Sequence, residues 1–236
     1  MRPRRLGQHY LVDQSVISKL VAFAAIRRGE RVLEIGTGKG AVTRELANVA
    51  TSLEGYEVDE GNLRETSETV RGSRVKLRLG DVFESKPKFD VLVASLPYSR
   101  SSSFVEWIAQ QQYDRAVVVL QEDFVKKVTA LPGQREYRAI SVIAEVSSRI
   151  TELERIPRDS FSPQPRVNSI IVAWRPRRRL KPWEIAAVRR LFSLRRRQVK
   201  AAVSQLGGSP PAGLGAMRVN ALTPEQALSL ALAALV

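Results

Sequence analysis

The nine residues Val32-Leu33-Glu34-Ile35-Gly36-Thr37-Gly38-Lys39-Gly40 constrain this chain more than any other stretch. An apolar strand that ends in a glycine-rich turn and opens a helix lets bare backbone approach a nucleotide-like ligand closely. The glycines read G-x-G-x-G, not the G-x-G-x-x-G of many dinucleotide sites, and no Gly-Lys-Ser/Thr ending of a phosphate loop follows. Twenty-one residues after Gly36, a second strand candidate ends in Glu57-Val58-Asp59. There a carboxylate can accept hydrogen bonds from both hydroxyls of a ribose. A tight turn beside an incidental surface acid is the competing reading. Strand context, spacing and acid together favour a nucleoside cofactor.

The surrounding pattern alternates β-rich runs with helical ones, which places the chain in the α/β class. Strand candidates are Arg31–Ile35, Leu53–Val58, Val75–Leu79, Asp90–Ser95, Ala116–Gln121, Arg149–Ile156 and Ser169–Trp174. Helical segments begin near Gly40, Gly61 and Ser102, and an earlier helix is expected from Gln14 to Ile26 with Asp13 as its N-cap. The Pro/Arg stretch from Arg175 to Pro182 reads as a linker. Beyond it a long basic helix is expected from Trp183 to about Leu206, then a Gly/Pro-rich break, then a closing helix capped by Thr223-Pro224-Glu225. The expected division is therefore a main domain over residues 1–175 and a basic helical domain over 176–236.

Charge separates the two parts. The whole chain carries 38 Lys and Arg against 24 Asp and Glu, a net +14, and residues 175–236 hold 12 of the basic side chains but only 2 of the acidic ones. Such a tail suits a polyanion such as nucleic acid. No cysteine and a single histidine, His9, exclude disulfides, zinc clusters and thiol nucleophiles, so no metal site is expected. The basic start leads into no long apolar run, and Ala227 to Val236 is about half the ~20 residues of a membrane span. A soluble, cytoplasmic, monomeric protein without a membrane partner is expected.

Two further elements narrow the cofactor. Gly80-Asp81-Val82 follows the third strand, where a carboxylate can accept from an adenine amino group. Ser95-Leu96-Pro97-Tyr98 follows the fourth and resembles the (Asn/Asp/Ser)-Pro-Pro-(Tyr/Phe/Trp) signature of enzymes that methylate exocyclic amines. Alone, such a tetrapeptide is more often a plain turn.

In register with the other motifs, it carries a resemblance to the rRNA adenine dimethyltransferase family, in particular to members that dimethylate two adjacent adenosines near the 3′ end of small-subunit rRNA. Leu6-Gly7-Gln8-His9-Tyr10-Leu11-Val12-Asp13 is similar to the family's opening Gly-Gln-Asn-Phe-Leu motif. Gln121-Glu122-Asp123-Phe124 with Pro132-Gly133, Tyr137 and Ser141-Val142 is similar to its Gln-Lys-Glu…Pro-Gly…Tyr…Leu-Ser-Val segment. Phe161-Ser162-Pro163-Gln164-Pro165-Arg166-Val167-Asn168-Ser169 resembles its Phe-x-Pro-x-Pro-Lys-Val-x-Ser block, and Phe192-Ser193-Leu194-Arg195-Arg196-Arg197 its Phe-x-x-Arg-Arg-Lys helix. Met217-Arg218 through Ala231 resembles its closing helix.

The resemblance implies a Rossmann-like seven-stranded methyltransferase sheet with a small helical C-terminal domain, S-adenosylmethionine as cofactor, and an rRNA or pre-30S-type particle as partner in ribosome biogenesis. It implies cofactor contacts from His9, Leu11, Glu34, Gly36 and Gly38, from Glu57 and Val58 at the ribose, from Asp81 and Val82 at the adenine, and from Ser95. Ser95, Leu96, Pro97 and Tyr98 would hold the target base and make up the catalytic segment. Phe161, Arg195, Arg196, Arg197 and Lys200 would meet RNA. A lone histidine near a terminus is also an ordinary surface residue, and some of the arginines are simply a solvated face. The chain departs from the family pattern at three places: Ser95 stands where Asn is usual, His9-Tyr10 where Asn-Phe is common, and Ser99-Arg100-Ser101 where Asn-Ile-Ser is expected. A non-catalytic rRNA-binding assembly factor, or an adenine methyltransferase of large-subunit rRNA or DNA, are the alternatives.

Overall fold

The computed structural model describes residues 9–209 and 212–234. Leu6, Gly7 and Gln8 of the opening motif lie outside the described residues. In chain order the elements are β1 (Tyr10–Leu11), α1 (Gln14–Ala24), β2 (Arg31–Ile35), α2 (Ala41–Val49), β3 (Ser52–Glu57), α3 (Glu60–Thr69), β4 (Val75–Leu79), β5 (Val91–Ser95), α4 (Ser101–Ile108) and β6 (Arg115–Gln121). They continue with α5 (Glu122–Val128), α6 (Ala139–Ser147), β7 (Ser148–Ile156), β8 (Phe161–Ser162), β9 (Ser169–Pro176), α7 (Pro182–Ser193), α8 (Val199–Gln205) and α9 (Pro224–Ala233).

Seven strands form one sheet in the order β4-β3-β2-β5-β6-β9-β7. β4, β3, β2, β5 and β6 pair in parallel, and β9 pairs antiparallel with β6. All seven are the strands expected from the sequence, each within a residue or two at its ends. β5 reads Val91-Leu92-Val93-Ala94, every side chain buried, as a central parallel strand covered on both faces must be. The order reverses at β2: β3 and β4 lie to one side and β5 to the other, which opens a crevice at the C-terminal strand ends. β1 and β8 form a separate two-stranded ribbon that pairs Leu11 with Phe161. Periodicity could not show this, since two residues carry no period.

Asp13 caps α1 as expected, its Oδ1 accepting from Ser15 N and Val16 N at 2.9 and 3.3 Å. The helix stops at Ala24, two residues early, because Ala25 turns left-handed at φ 47°. Arg115, buried at the start of β6, ties that end down. Its guanidinium donates to Ala24 O at 2.7 Å and Ala25 O at 2.6 Å, and pairs with Glu30 at 2.6 and 2.8 Å. Orphan helix carbonyls are thereby satisfied, and the Arg115 hydrogen bond holds the Glu30 carboxyl below its ordinary range.

The chain forms two compact units. One comprises Met1–Phe104, Gln111–Glu122 and Thr151–Pro176; the other comprises Val105–Gln110, Asp123–Ile150 and Arg177–Val236. The second unit thus includes more than the basic tail. Its core holds Ile185, Val188, Phe192, Val199 and Val203, all 5% exposed or less. Tyr137 is buried there too, its hydroxyl donating to Leu222 O at 3.0 Å and its ring edge-on to Phe192 at 5.5 Å. Burial pushes the Tyr137 phenol upward. In α9, Thr223 and Gln226 form the capping box with Pro224 at the first turn.

One expectation fails in this unit. The basic stretch is not one helix from Trp183 to Leu206 but two, α7 and α8, and Arg195, Arg196 and Arg197 lie in the turn between them. Tertiary hydrogen bonds outweigh helix propensity here. Arg195 O and Arg197 O accept from Asn220 N and Val219 N at 3.0 Å, Gln198 bridges Arg218, and Val199 N donates to Met217 O at 2.8 Å. Arg196, Arg197 and Lys200 are exposed, and Arg195 is half-buried.

Candidate active site

The crevice at the strand ends is a cavity of about 330 Å³, within the ~300–1,000 Å³ of small-molecule sites. Its wall is assembled from the residues that follow β2, β3, β4 and β5. The Gly-rich turn comes first: Gly36, Gly38 and Gly40 all adopt positive φ, at +77°, +55° and +85°. An L side chain would be strained at each. β3 and α3 hold the turn from behind. A Cβ on Gly55 would sit 2.6 Å from Thr37 Cγ2, so glycine there is what lets Thr37 pack. Thr66 Oγ1 donates to Gly38 O at 2.8 Å.

Glu57, at the end of β3, is buried at 4% exposure yet lines the cavity. Its Oε2 accepts from Gly38 N at 2.8 Å, and its Oε1 accepts from Val58 N and Asp59 N at 2.8 and 2.9 Å. Of roughly four lone-pair sites on a carboxylate, three are used by the chain itself. Glu57 therefore fixes the two loops that flank it and has about one acceptor site left for a ligand. The sequence alone suggested two free hydroxyl contacts; the structure leaves less capacity than that.

Asp81 follows β4. Its Oδ1 accepts from Phe83 N at 2.9 Å, and its Oδ2 accepts from Arg100 Nη2. The Arg100 guanidinium also lies 4.8 Å over the Phe83 ring. Ser95, Leu96 and Pro97 close the wall after β5. The Ser95 hydroxyl makes no hydrogen bond among the described residues, so it is open to a ligand. A Cβ on Gly36 would come within 3.5 Å of Ser95 O, which shows how closely these two strand ends approach.

Beside the cavity, His9, Ser95, Leu96, Pro97, Tyr98, Val119 and Phe161 form a closed seam with no room for a water molecule. Tyr98 is held at both ends: its hydroxyl shares a 2.9 Å hydrogen bond with Ser169 Oγ, and its ring lies 5.3 Å from the His9 ring at a 31° tilt. Burial holds the Tyr98 phenol above its ordinary range. His9 Nδ1 lies 2.6 Å from Pro163 O. A carbonyl only accepts, so Nδ1 is the donor in this contact.

The structure thus brings His9, Leu11, Gly36, Gly38, Glu57, Val58, Asp81, Val82, Ser95, Leu96 and Pro97 to one cavity, with Tyr98 and Phe161 beside it. Phe161 is 4% exposed and packs into the core with Leu11 and Ile17. Glu34 is the exception, because its side chain is 1% exposed and does not line the cavity. It points beneath the turn, its Oε2 without a hydrogen-bond partner. Burial, reinforced by the charge of Glu57, pushes its carboxyl up to about 8. Arg195, Arg196, Arg197 and Lys200 belong to the other unit and are not part of the cavity. Sequence reasoning did not single out Gly55, Thr66 or Phe83, which carry no motif of their own, nor Thr37 within the Gly-rich turn.

The chain is similar to known proteins over most of its length. The family model described as "Ribosomal RNA adenine dimethylase" matches residues 2–232. The chain is 30% identical over 207 residues to the "Probable ribosomal RNA small subunit methyltransferase A" of Pyrococcus abyssi, covering 87% of this chain and 77% of that protein. Its fold is similar to the crystal structure of a dimethyladenosine transferase from Plasmodium falciparum, with a TM-score of 0.79 and 23% identity over 94% of this chain and 96% of that one. It is also similar to the 23S rRNA methyltransferase ErmE, with a TM-score of 0.65 and 25% identity over 94% and 98% of the two chains. With matches over nearly its full length, the chain belongs to the ribosomal RNA adenine dimethylase family.

Proposed function

We propose that this protein is an active methyltransferase that uses S-adenosylmethionine to methylate the N6 amine of adenosines in small-subunit rRNA, two adjacent adenosines near the 3′ end being the target. The observation that carries the reading is the junction at Ser95. This one residue lines the nucleoside-sized cavity and touches the closed seam of Tyr98, His9 and Phe161 beside it, with its hydroxyl unengaged. The cavity's donor set fits an adenosyl group: a remaining acceptor on Glu57 for the ribose, Asp81 with Val82 and Phe83 for adenine, and bare backbone at Gly36 for the amino-acid part.

When bound, the cofactor supplies an electrophilic methyl group on a sulfonium, so the chain has chiefly to align and improve a poor nucleophile. Adenine's amine is poor because its lone pair is delocalised into the ring. Hydrogen bonds accepted by Ser95 Oγ and by a backbone carbonyl at Leu96 or Pro97 pull the nitrogen toward a tetrahedral shape and free that lone pair. Tyr98, braced by Ser169 and His9, offers a face for the unstacked base. Arg195, Arg196, Arg197 and Lys200 supply phosphate contacts that position the RNA.

Incubating the protein with methyl-labelled cofactor and small ribosomal subunits from a strain lacking its own enzyme tests the reading. Label in the rRNA is expected. Binding of subunits without label transfer would favour an assembly factor instead, and transfer only to large subunits would move the substrate.

A further inference from the structure

We propose that Arg100 couples the cofactor cavity to RNA: it occupies Asp81 until an adenine amine takes that carboxylate, and the released guanidinium then binds an RNA phosphate. The inference rests on the reading of Asp81 as the adenine contact. Asp81 has two oxygens, and both are engaged within the chain. Phe83 N holds Oδ1 at 2.9 Å, and Arg100 Nη2 holds Oδ2. The backbone donor cannot leave without unwinding the short turn at Val82–Glu84, whereas the guanidinium is at the end of a long side chain. Each oxygen keeps a second acceptor site, but Oδ2 is the one whose present donor can move aside, so an amine seeking that oxygen competes with Arg100 for it.

The pair is built to open. Its side chains are 38% and 27% exposed, so water screens it, and a pair of this kind is worth little on its own. A ligand that gains ribose and backbone contacts elsewhere in the cavity can displace it. Once released, Arg100 retains a resting place against the Phe83 ring. It stands on the short turn Tyr98–Arg100, directly after the segment expected to hold the target base. Its planar fork of donors matches a phosphate as well as a carboxylate. The isoleucine that the family resemblance places here could do neither. Two ligands that favour the same released state of one side chain must strengthen each other by the same factor.

The test is binding, measured without turnover, using S-adenosylhomocysteine and unmethylated small ribosomal subunits as probes. For the wild-type protein, S-adenosylhomocysteine is expected to tighten subunit binding by about three- to tenfold. Arg100→Ile should bind S-adenosylhomocysteine about three- to tenfold more tightly, bind subunits correspondingly more weakly, and lose the effect of one on the other. Arg100→Lys, which keeps the charge, should retain part of the coupling. S-inosylhomocysteine, which lacks the adenine amine, should bind the wild type without tightening subunit binding. The proposal is overturned if Arg100→Ile leaves S-adenosylhomocysteine affinity unchanged or weaker, or if wild-type subunit binding ignores S-adenosylhomocysteine. Failure of the wild type to bind S-adenosylhomocysteine at all overturns the cofactor reading itself, and the coupling with it.

Discussion

The wall proposed to face the cofactor and the segment proposed to face the base meet at Ser95, but they are held in different ways. The wall is fixed by main chain: Gly38 N, Val58 N and Asp59 N converge on Glu57, and Phe83 N on Asp81. The base-facing segment is fixed by side chains that prop one another, Tyr98 between Ser169 and His9, with Ser95 Oγ unengaged. Backbone donors dictate the chemistry of the acceptor they surround, so residue type is constrained. Side-chain props need only keep a shape. The departures from the family pattern at His9, Ser95 and Arg100 all fall on the second kind of structure or at its edge.

Breaking the wall should have the largest effect. Glu57→Ala leaves three part-buried backbone N–H groups without their acceptor, and at the low end of the roughly 1–3 kcal/mol that each orphan costs the expected loss of stability is about 3 kcal/mol. Cofactor affinity should fall about a hundredfold or more with it. Urea denaturation and calorimetry measure the two separately. Unchanged affinity for S-adenosylhomocysteine would remove Glu57 from the cofactor site.

Glu34 sharpens the same side of the comparison, since it lies under the turn and not in the cavity. Its carboxyl is raised in the folded protein from an ordinary value near 4.5 to about 8, so the folded state holds a proton that the unfolded state has released. That contribution to stability is fully present below about pH 4.5 and is lost as the pH rises toward 8. Glu34→Gln, permanently neutral, should therefore flatten the decline and gain on the wild type by about 4 kcal/mol at pH 8. Parallel pH–stability curves for the two proteins would mean that Glu34 is ionised where it lies.

How much of this could be read from the sequence follows the same division. The seven strands were legible because each is a β-rich run bounded by turn residues, and the cavity because its acids stand at fixed distances after glycines. Gly55 and Thr66 were not, because they act through space on Thr37 and Gly38 from β3 and α3. Arg115 was missed because it looks like the charged edge of an apolar strand, and its partners lie at the end of α1 and at Glu30. Glu34 was assigned to the cofactor by its place in the motif, while strand alternation points its side chain inward. The break between α7 and α8 depends on a segment some twenty residues further along, which no local propensity records.

The basic turn created by that break is the third region to test. Replacing Arg195, Arg196 and Arg197 together with Ser should weaken binding to small subunits by about tenfold or more and reduce the slope of affinity against salt, leaving cofactor affinity alone. A salt slope that does not move would place the RNA footprint elsewhere.

The smallest effect is expected where the base-facing segment tolerates change. Ser95→Ala removes one hydrogen-bond acceptor and should raise the methylation barrier by about 1–2 kcal/mol with little change in stability. Ser95→Asn, the usual residue of the family, should preserve or raise the rate. Single-turnover rates with small subunits distinguish the two.

The most direct measurement is mass spectrometry of nuclease-digested rRNA taken at timed intervals from wild-type reactions on unmethylated small subunits. N6-monomethyladenosine should appear first and give way to N6,N6-dimethyladenosine in one fragment carrying two adjacent adenosines. Digests free of methylated adenosine, from a protein that binds both S-adenosylhomocysteine and the subunit, would contradict the account and leave a binding factor with an intact cofactor cavity.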